Sequence, residues 1–167
     1  MRIVLRYLPS ILFLPVLIVI VVPTWLLNAF TGSDSRWSNA VVFGSVSRFI
    51  GVAIICVGFV LFCWCVTLFA RVGQGTLAPW DPPQHLVAVG PYRHVRNPMI
   101  ISVALMLTGL ALYWGSWVLV TWAGLFVLIN HIYFVLYEEQ GLERRYGESY
   151  RVYKDNTPRW FPRRKSR

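Results

Sequence analysis

Apolar residues run along the chain in four long blocks, Ile11 to Phe30, Phe49 to Ala70, Met99 to Gly115 and Trp117 to Tyr137, with polar stretches between them. Crossing a bilayer as a helix takes roughly 20 apolar residues, with about 17 as a lower limit, so even the shorter third block qualifies. Lipid offers the backbone no hydrogen-bond partner, which makes each crossing block a helix. Pro15 and Pro23 predict a local irregularity in the first. Only the neighbourhood of Gly115 and Ser116 separates the third block from the fourth, so these two form a tight antiparallel hairpin, with Trp114 and Trp117 flanking its turn at the membrane interface. The expected fold is all-α: a polytopic membrane protein of about four transmembrane helices, the last two a hairpin, followed by a cytoplasmic C-terminal helix.

Composition agrees with this pattern. Hydrophobic residues make up 56% of the 167 and charged residues only 14%, against about 25% charged in soluble domains. Lys and Arg number 16 against 7 Asp and Glu, and from Arg144 onward there are nine basic residues. A basic tail beside membrane helices marks a cytoplasmic face near anionic lipid, not a nucleic-acid partner. Arg2 and Arg6, then Arg71, Arg93 and Arg96, then the tail all fall on one side if the chain crosses four times, placing both termini at the cytoplasmic face of the inner membrane. The apolar core after Arg6 is long and lacks a small-residue cleavage site, so it reads as a retained first helix. Cys56, Cys63 and Cys65 lie within one apolar block and read as small buried hydrophobes.

Polar chemistry concentrates in two places. The first is Gly90-Pro91-Tyr92-Arg93-His94-Val95-Arg96-Asn97-Pro98-Met99, immediately before the third apolar block. Asn at a cap followed by Pro starts a helix, and a helix amino end also presents free N–H groups to an anion. The second is Tyr137-Glu138-Glu139-Gln140-Gly141-Leu142-Glu143-Arg144-Arg145-Tyr146-Gly147. At helical spacing His131, Phe134, Glu138 and Leu142 share one face, and Glu139, Glu143 and Tyr146 the adjacent one. Neighbouring acids point about 100° apart on a helix, so Glu138 and Glu139 should differ in role. Arg93, Arg96 and Arg145 are available to pair with them. His131, inside an apolar block, reads as a neutral histidine bonded to a neighbouring helix. His85, His94 and His131 have no metal-ligand spacing, and there is no phosphate-binding glycine loop or nucleophile elbow.

Leu86-Val87-x-x-Gly90-x-Tyr92-x-x-x-Arg96-Asn97-Pro98, then an apolar hairpin, then Glu138-Glu139-x-x-Leu142-x-x-x-Tyr146-Gly147-x-x-Tyr150-x-x-Tyr153 and Pro158-Arg159, resembles the integral-membrane methyltransferases, which include isoprenylcysteine carboxyl methyltransferase and the phospholipid methyltransferases. The resemblance covers Gln84 to Pro162. It divides one membrane domain into N-terminal helices for acceptor access, residues 1–83, a cofactor-binding half, residues 84–162, and a basic tail, residues 163–167.

This resemblance implies S-adenosylmethionine as methyl donor, held by Gln84, His85, Leu86, Val87, Tyr92, Asn97, Pro98, Met99, Ile100 and Glu138. It implies a lipophilic or membrane-associated acceptor, an isoprenylcysteine-like carboxylate, a phospholipid amine or a small thiol, oriented, or deprotonated if it is an amine, by Arg96 and Glu139. Asn97 stands where the family usually has His, Ile100 where it often has Tyr, and Phe134 where the prenylcysteine enzymes have an arginine associated with substrate. Asn97 can donate a hydrogen bond but cannot titrate near neutrality. Competing readings are a non-enzymatic membrane scaffold docked by its basic tail, and a membrane reductase using a nicotinamide cofactor.

Overall fold

The computed structural model describes residues 14–34, 36–37, 41–73 and 85–160; Gln84 and the tail Arg163 to Arg167 lie outside them. All regular structure among the described residues is helical. Helix α1 covers Leu14–Ala29. Helix α2, Val41–Leu68, continues through a widened π-turn, Phe69–Gly73. Helix α3 is Pro98–Trp114 and α4 is Trp117–Tyr133, the latter continuing through a π-turn at Phe134–Glu138 into α5, Glu139–Tyr146. Helix α6, Glu148–Asn156, follows a break at Gly147, which takes φ 56°. Two helices are long and apolar enough to cross a membrane, Gly44–Gly73 and Trp117–Tyr146; α1 and α3 are shorter apolar helices.

In α1 the prolines produce a π-turn, not a break. Pro23 has no N–H and its ring crowds the carbonyl four residues back. The turn Leu17–Val21 widens just ahead of it, and the Val22 N–H donates to the Leu17 carbonyl.

The tightest packing joins α2 to α3. Gly44, Gly51, Gly58 and Cys65 recur every seven residues along α2, and all four are buried. A Cβ on Gly51 would lie 2.7 Å from the Gly109 carbonyl oxygen, and one on Gly58 would lie 2.7 Å from that of Ser102. Small residues at heptad spacing let two helix backbones touch, which is how helices associate where lipid removes the hydrophobic drive. Phe62, Val103, Met106, Leu107, Ala123 and Phe126 then form a core shared by α2, α3 and α4, with Ile18 and Val19 of α1 against it. Outward, α2 presents Phe49 (79% exposed), Val57, Val60 and Trp64, and α4 presents Leu128, Ile129 and Ile132. Rows of large exposed apolar side chains suit contact with acyl chains rather than water.

The α3–α4 hairpin turns as expected, with its helix ending at Trp114, one residue earlier than the apolar block. Gly115 takes the left-handed conformation, φ 60° and ψ 42°, which suits glycine. Ser116 caps α4 by accepting from the Leu119 N–H, and its hydroxyl donates to the buried Asp34 carboxylate at 2.6 Å. Trp37 packs edge-on against Trp117 at 5.0 Å, and its backbone N–H donates to the Gly115 carbonyl. The segment after α1 therefore latches the turn. The polar constellation lies at the other end of the bundle.

Candidate functional site

Between residues 85 and 97 the chain passes to the start of α3 in a conformation that glycine and proline dictate. Gly90 has φ 60°, and a Cβ there would come 2.9 Å from Leu68 of α2. Pro91 follows inside a single 3₁₀ turn, Gly90–Arg93, which buries Tyr92 against Cys65 and Val87 and sets its ring edge-on to Phe69 at 5.4 Å. The Tyr153 hydroxyl of α6 donates to the Tyr92 carbonyl at 2.6 Å, fastening the turn from the other side.

Asn97 and Pro98 begin α3 as cap and first helical residue, and the Asn97 carbonyl accepts from the Ile101 N–H. The side chain departs from the expected role. With φ −123° and ψ 52°, Asn97 lies outside the usual extended cap geometry and makes no capping bond. Its Nδ2 is instead a buried donor with no partner.

The π-turn before α5 assigns the two acids. Glu139 donates its N–H to the Phe134 carbonyl, five residues back. Phe134, Glu138, Leu142, Arg145 and Tyr146 then face a cavity, while Glu139 turns into the protein behind it. Tyr146 thus joins the Glu138 face and not that of Glu139, because at seven and eight residues' separation it sits on the border of both.

The cavity is about 680 Å³, inside the range of roughly 300–1,000 Å³ usual for small-molecule sites. Of the residues expected to hold a cofactor, His85, Leu86, Val87, Tyr92, Asn97, Met99, Ile100 and Glu138 line it together, as does Arg96. Pro98 is fully buried at the helix start behind the wall. Asn130, Tyr133, Tyr137, Tyr150 and Tyr153 complete the lining, with Leu14 and Phe69 on the apolar side. Tyr150 and Tyr153 stood in the motif without a role, and Asn130 was detectable as a polar residue inside an apolar block.

Glu139 does not line the cavity. Its Oε1 accepts from Arg96 Nη1 at 2.9 Å and from Arg159 Nε and Nη2 at 2.9 and 2.7 Å, and its Oε2 faces Lys154 Nζ at 3.3 Å. Of the partners expected from sequence, only Arg96 pairs with an acid of this couple. The other cations come from α6 and the segment beyond it, which folds back so that the Arg96 N–H donates to the Pro158 carbonyl. Trp160 there donates to His131 Nδ1 at 3.0 Å, so that nitrogen carries no proton and the histidine acts as an acceptor.

Three buried polar atoms have no partner among the described residues: Asn97 Nδ2, Arg96 Nε and the Tyr150 hydroxyl. All three residues line the cavity. The Arg96 guanidinium lies close enough to the Tyr150 hydroxyl for its N–H and its charge both to draw down the Tyr150 pKa. Burial prevails and holds the phenols of Tyr92, Tyr150 and Tyr153 above the ordinary tyrosine range, so each keeps its proton. Among the described residues no three His, Cys, Asp or Glu side chains gather as metal ligands would.

A cavity lined by a carboxylate, by an unpartnered amide at a helix amino end and by several aromatic rings suits a zwitterionic small molecule. The family model for phospholipid methyltransferases matches residues 46–149, more than half of the chain and most of the cavity wall. No curated protein and no solved structure matches it. The chain therefore belongs to the phospholipid methyltransferase family, whose enzymes methylate membrane-associated substrates.

Proposed function

We propose that the chain transfers a methyl group from S-adenosylmethionine to a lipophilic acceptor that reaches the cavity from the bilayer. The observation that carries this is the buried, unpartnered Asn97 Nδ2 at the start of α3, beside a cavity that Asn97 and Glu138 both line. An orphan buried donor costs about 1–3 kcal/mol unless something accepts from it. A bound carboxylate supplies that acceptor.

The residues fit the donor molecule group by group. Asn97 Nδ2 and the free N–H groups at the start of α3 hold its carboxylate. Glu138 holds its ammonium, a charge-assisted pairing. Tyr92, with Leu86 and Val87 beside it, supplies an aromatic and apolar wall for the adenine and sulfonium. When bound, the donor supplies an electrophilic methyl on sulfur. The chain's own contribution is to align the acceptor with it and exclude water. Arg96 orients the acceptor from the cavity wall. Glu139, saturated by three cations, holds Arg96 rather than receiving a proton, so the acid expected to act on the acceptor works one step behind the site.

Four membrane crossings, with both termini and the cavity on the cytoplasmic side, follow from the distribution of basic residues. A fluorescent reporter fused after Arg167 that matures only in the cytoplasm should light up; a dark fusion at normal expression refutes this orientation. For the reaction, the detergent-purified chain is titrated with labelled S-adenosylmethionine. Binding is expected, weakened at least about tenfold in Glu138→Ala through loss of the charge-assisted bond. An absence of binding by the unaltered chain would sink the proposal.

A further inference from the structure

We propose that Trp122 is a positioning residue. Its indole N–H pins α1 to α4 at a carbonyl that Pro23 leaves without a backbone donor, and so sets the width of the cavity's mouth between these two helices. This inference rests on the methyl-transfer reading above and names what holds the acceptor's way in.

The carbonyl is that of Ile18. In a regular helix it would accept from the N–H four residues on, but the Val22 N–H is spent on the Leu17 carbonyl. The residue five on, which would serve in a π-turn, is Pro23, and proline has no N–H. Both backbone donors within reach are thus gone, in a segment where lipid supplies none. Trp122 of α4 fills the gap: its Nε1–H donates to the Ile18 oxygen at 3.3 Å. Ile18 and Trp122 also pack against the shared core, so the bond ties two anchored points.

The pin lies at the foot of an opening. Leu14, four residues before Ile18, lines the cavity and is nevertheless 57% exposed. The same holds for Tyr133 of α4, 56% exposed, and Tyr137 of the π-turn after it, 66% exposed. Side chains that border a cavity and also face outward stand at its mouth, so the cavity opens between α1 and α4. Trp122, Phe126 and Asn130 follow one another at four-residue steps along one face of α4, and Asn130 lines the cavity. Freeing Ile18 from Trp122 therefore shifts Leu14 against Asn130 and Tyr133, and the mouth changes width.

A double-mutant cycle on the full chain in detergent tests the pin. Trp122→Phe keeps a ring and deletes the N–H; Pro23→Ala restores a backbone N–H at 23, which lets the helix close regularly and the Val22 N–H return to Ile18. With proline at 23, Trp122→Phe should lower the unfolding midpoint by about 3 °C or more, as an unpaired carbonyl requires. In Pro23→Ala the same change should cost clearly less, and equal losses in the two backgrounds overturn the pin. The mouth is read by the distance between spin labels at Val16→Cys and Ile129→Cys, exposed positions of α1 and α4, in a chain carrying Cys56→Ser and Cys63→Ser. The distance distribution should broaden in Trp122→Phe and stay as it was in Trp25→Phe, a change at an exposed tryptophan of α1; no broadening in Trp122→Phe overturns the positioning role. Transfer of labelled methyl from S-adenosylmethionine is then followed with a mixed phospholipid extract as the probe. Trp122→Phe should raise the lipid concentration at half-maximal rate about threefold or more, the scale of one hydrogen bond lost from holding the competent arrangement, with donor affinity unchanged. Lost donor affinity with the lipid dependence intact overturns the role. Absence of transfer by the unaltered chain, with the cycle and the distances as expected, would overturn the methyl-transfer reading and leave the pin standing.

Discussion

Replacing Glu139 with Gln removes the carboxylate on which Arg96 of the loop before α3, Lys154 of helix α6 and Arg159 of the segment after it converge. The side chains of Glu139 and Arg96 are 7% and 10% exposed, so their attraction is poorly screened and the guanidinium has no water to turn to. Stranding one member of a buried pair costs about 3–5 kcal/mol. Lys154 is 37% exposed and adds little, within the 0–1 kcal/mol of surface pairs, and the partly exposed Arg159 falls between. Taking about 3 kcal/mol as the loss in docking of α6 and the segment after it, the undocked population rises by about a hundredfold. Protease cleavage of a segment that opens quickly follows that population. Trypsin should therefore cut after Lys154 and Arg159 about a hundred times faster in Glu139→Gln than in the unaltered chain, in detergent, with fragments assigned by mass. Arg96→Lys, which keeps a cation at Nη1's place, should accelerate cutting far less. Cleavage within a factor of three of the unaltered chain in Glu139→Gln would refute the view that this carboxylate holds the C-terminal segment on the site.

Packing along α2 makes a second contrast. Gly58→Leu puts a side chain where a bare Cβ already lies 2.7 Å from the Ser102 carbonyl, so α2 and α3 must separate; a loss of about 1–3 kcal/mol or more is expected in thermal unfolding in detergent. Gly124→Ala, with open space around its Cβ, should be neutral or stabilise by up to about 1 kcal/mol, and equal effects from the two would contradict the close seam. Alkaline pH tests the buried phenols. The folded pKa values of Tyr92, Tyr150 and Tyr153 are raised by burial, so the folded state keeps protons that the unfolded chain releases near about pH 10. Their contribution is fully present below that pH and is lost as pH climbs through the raised values. Phenolate absorbance should show three tyrosines that ionise only together with loss of helical circular dichroism; early titration of all eight would contradict their burial.

Which residues meet was readable where local chemistry decides it and hidden where tertiary contacts do. Asn97-Pro98 announced a helix start, and Gly115-Ser116 a turn, because φ preference and a missing N–H act at the residue itself. The wall from His85 to Ile100 is what the resemblance to the membrane methyltransferases implies, residue by residue, and not something spacing alone reveals. Periodicity did not reveal the partners of Glu139, since Lys154 and Arg159 reach it from 15 and 20 residues away only after Gly147 breaks the helix and the chain folds back. The Gly44, Gly51, Gly58 and Cys65 heptad was present in plain text, yet inside a uniformly apolar block it has no polar contrast to mark it. Residue preference marks Asn97 as a cap by position, but whether its side chain bonds the helix depends on the backbone angles it adopts, here φ −123° and ψ 52°, at which no capping bond forms.

The division between Glu138 and Glu139 shows how one backbone irregularity produces a site. A regular helix through residues 134–139 would still point the two acids apart, but it would carry Tyr133, Tyr137 and Glu138 on a shorter arc. The wider π-turn lengthens the arc that one turn presents, and Tyr133, Phe134, Tyr137 and Glu138 all line the cavity. Such bulges are frequent at functional sites because the added girth displaces side chains without breaking the helix. A carboxylate at a membrane helix end is costly without a partner, and the two acids resolve that cost differently. Glu139 is neutralised permanently by cations from its own chain and thereby immobilises Arg96. Glu138 has no ion-pair partner among the described residues and lines the cavity. Two identical side chains, adjacent in sequence, thus become a buried scaffold and a cavity-lining acid through nothing more than which way the widened turn leaves them facing.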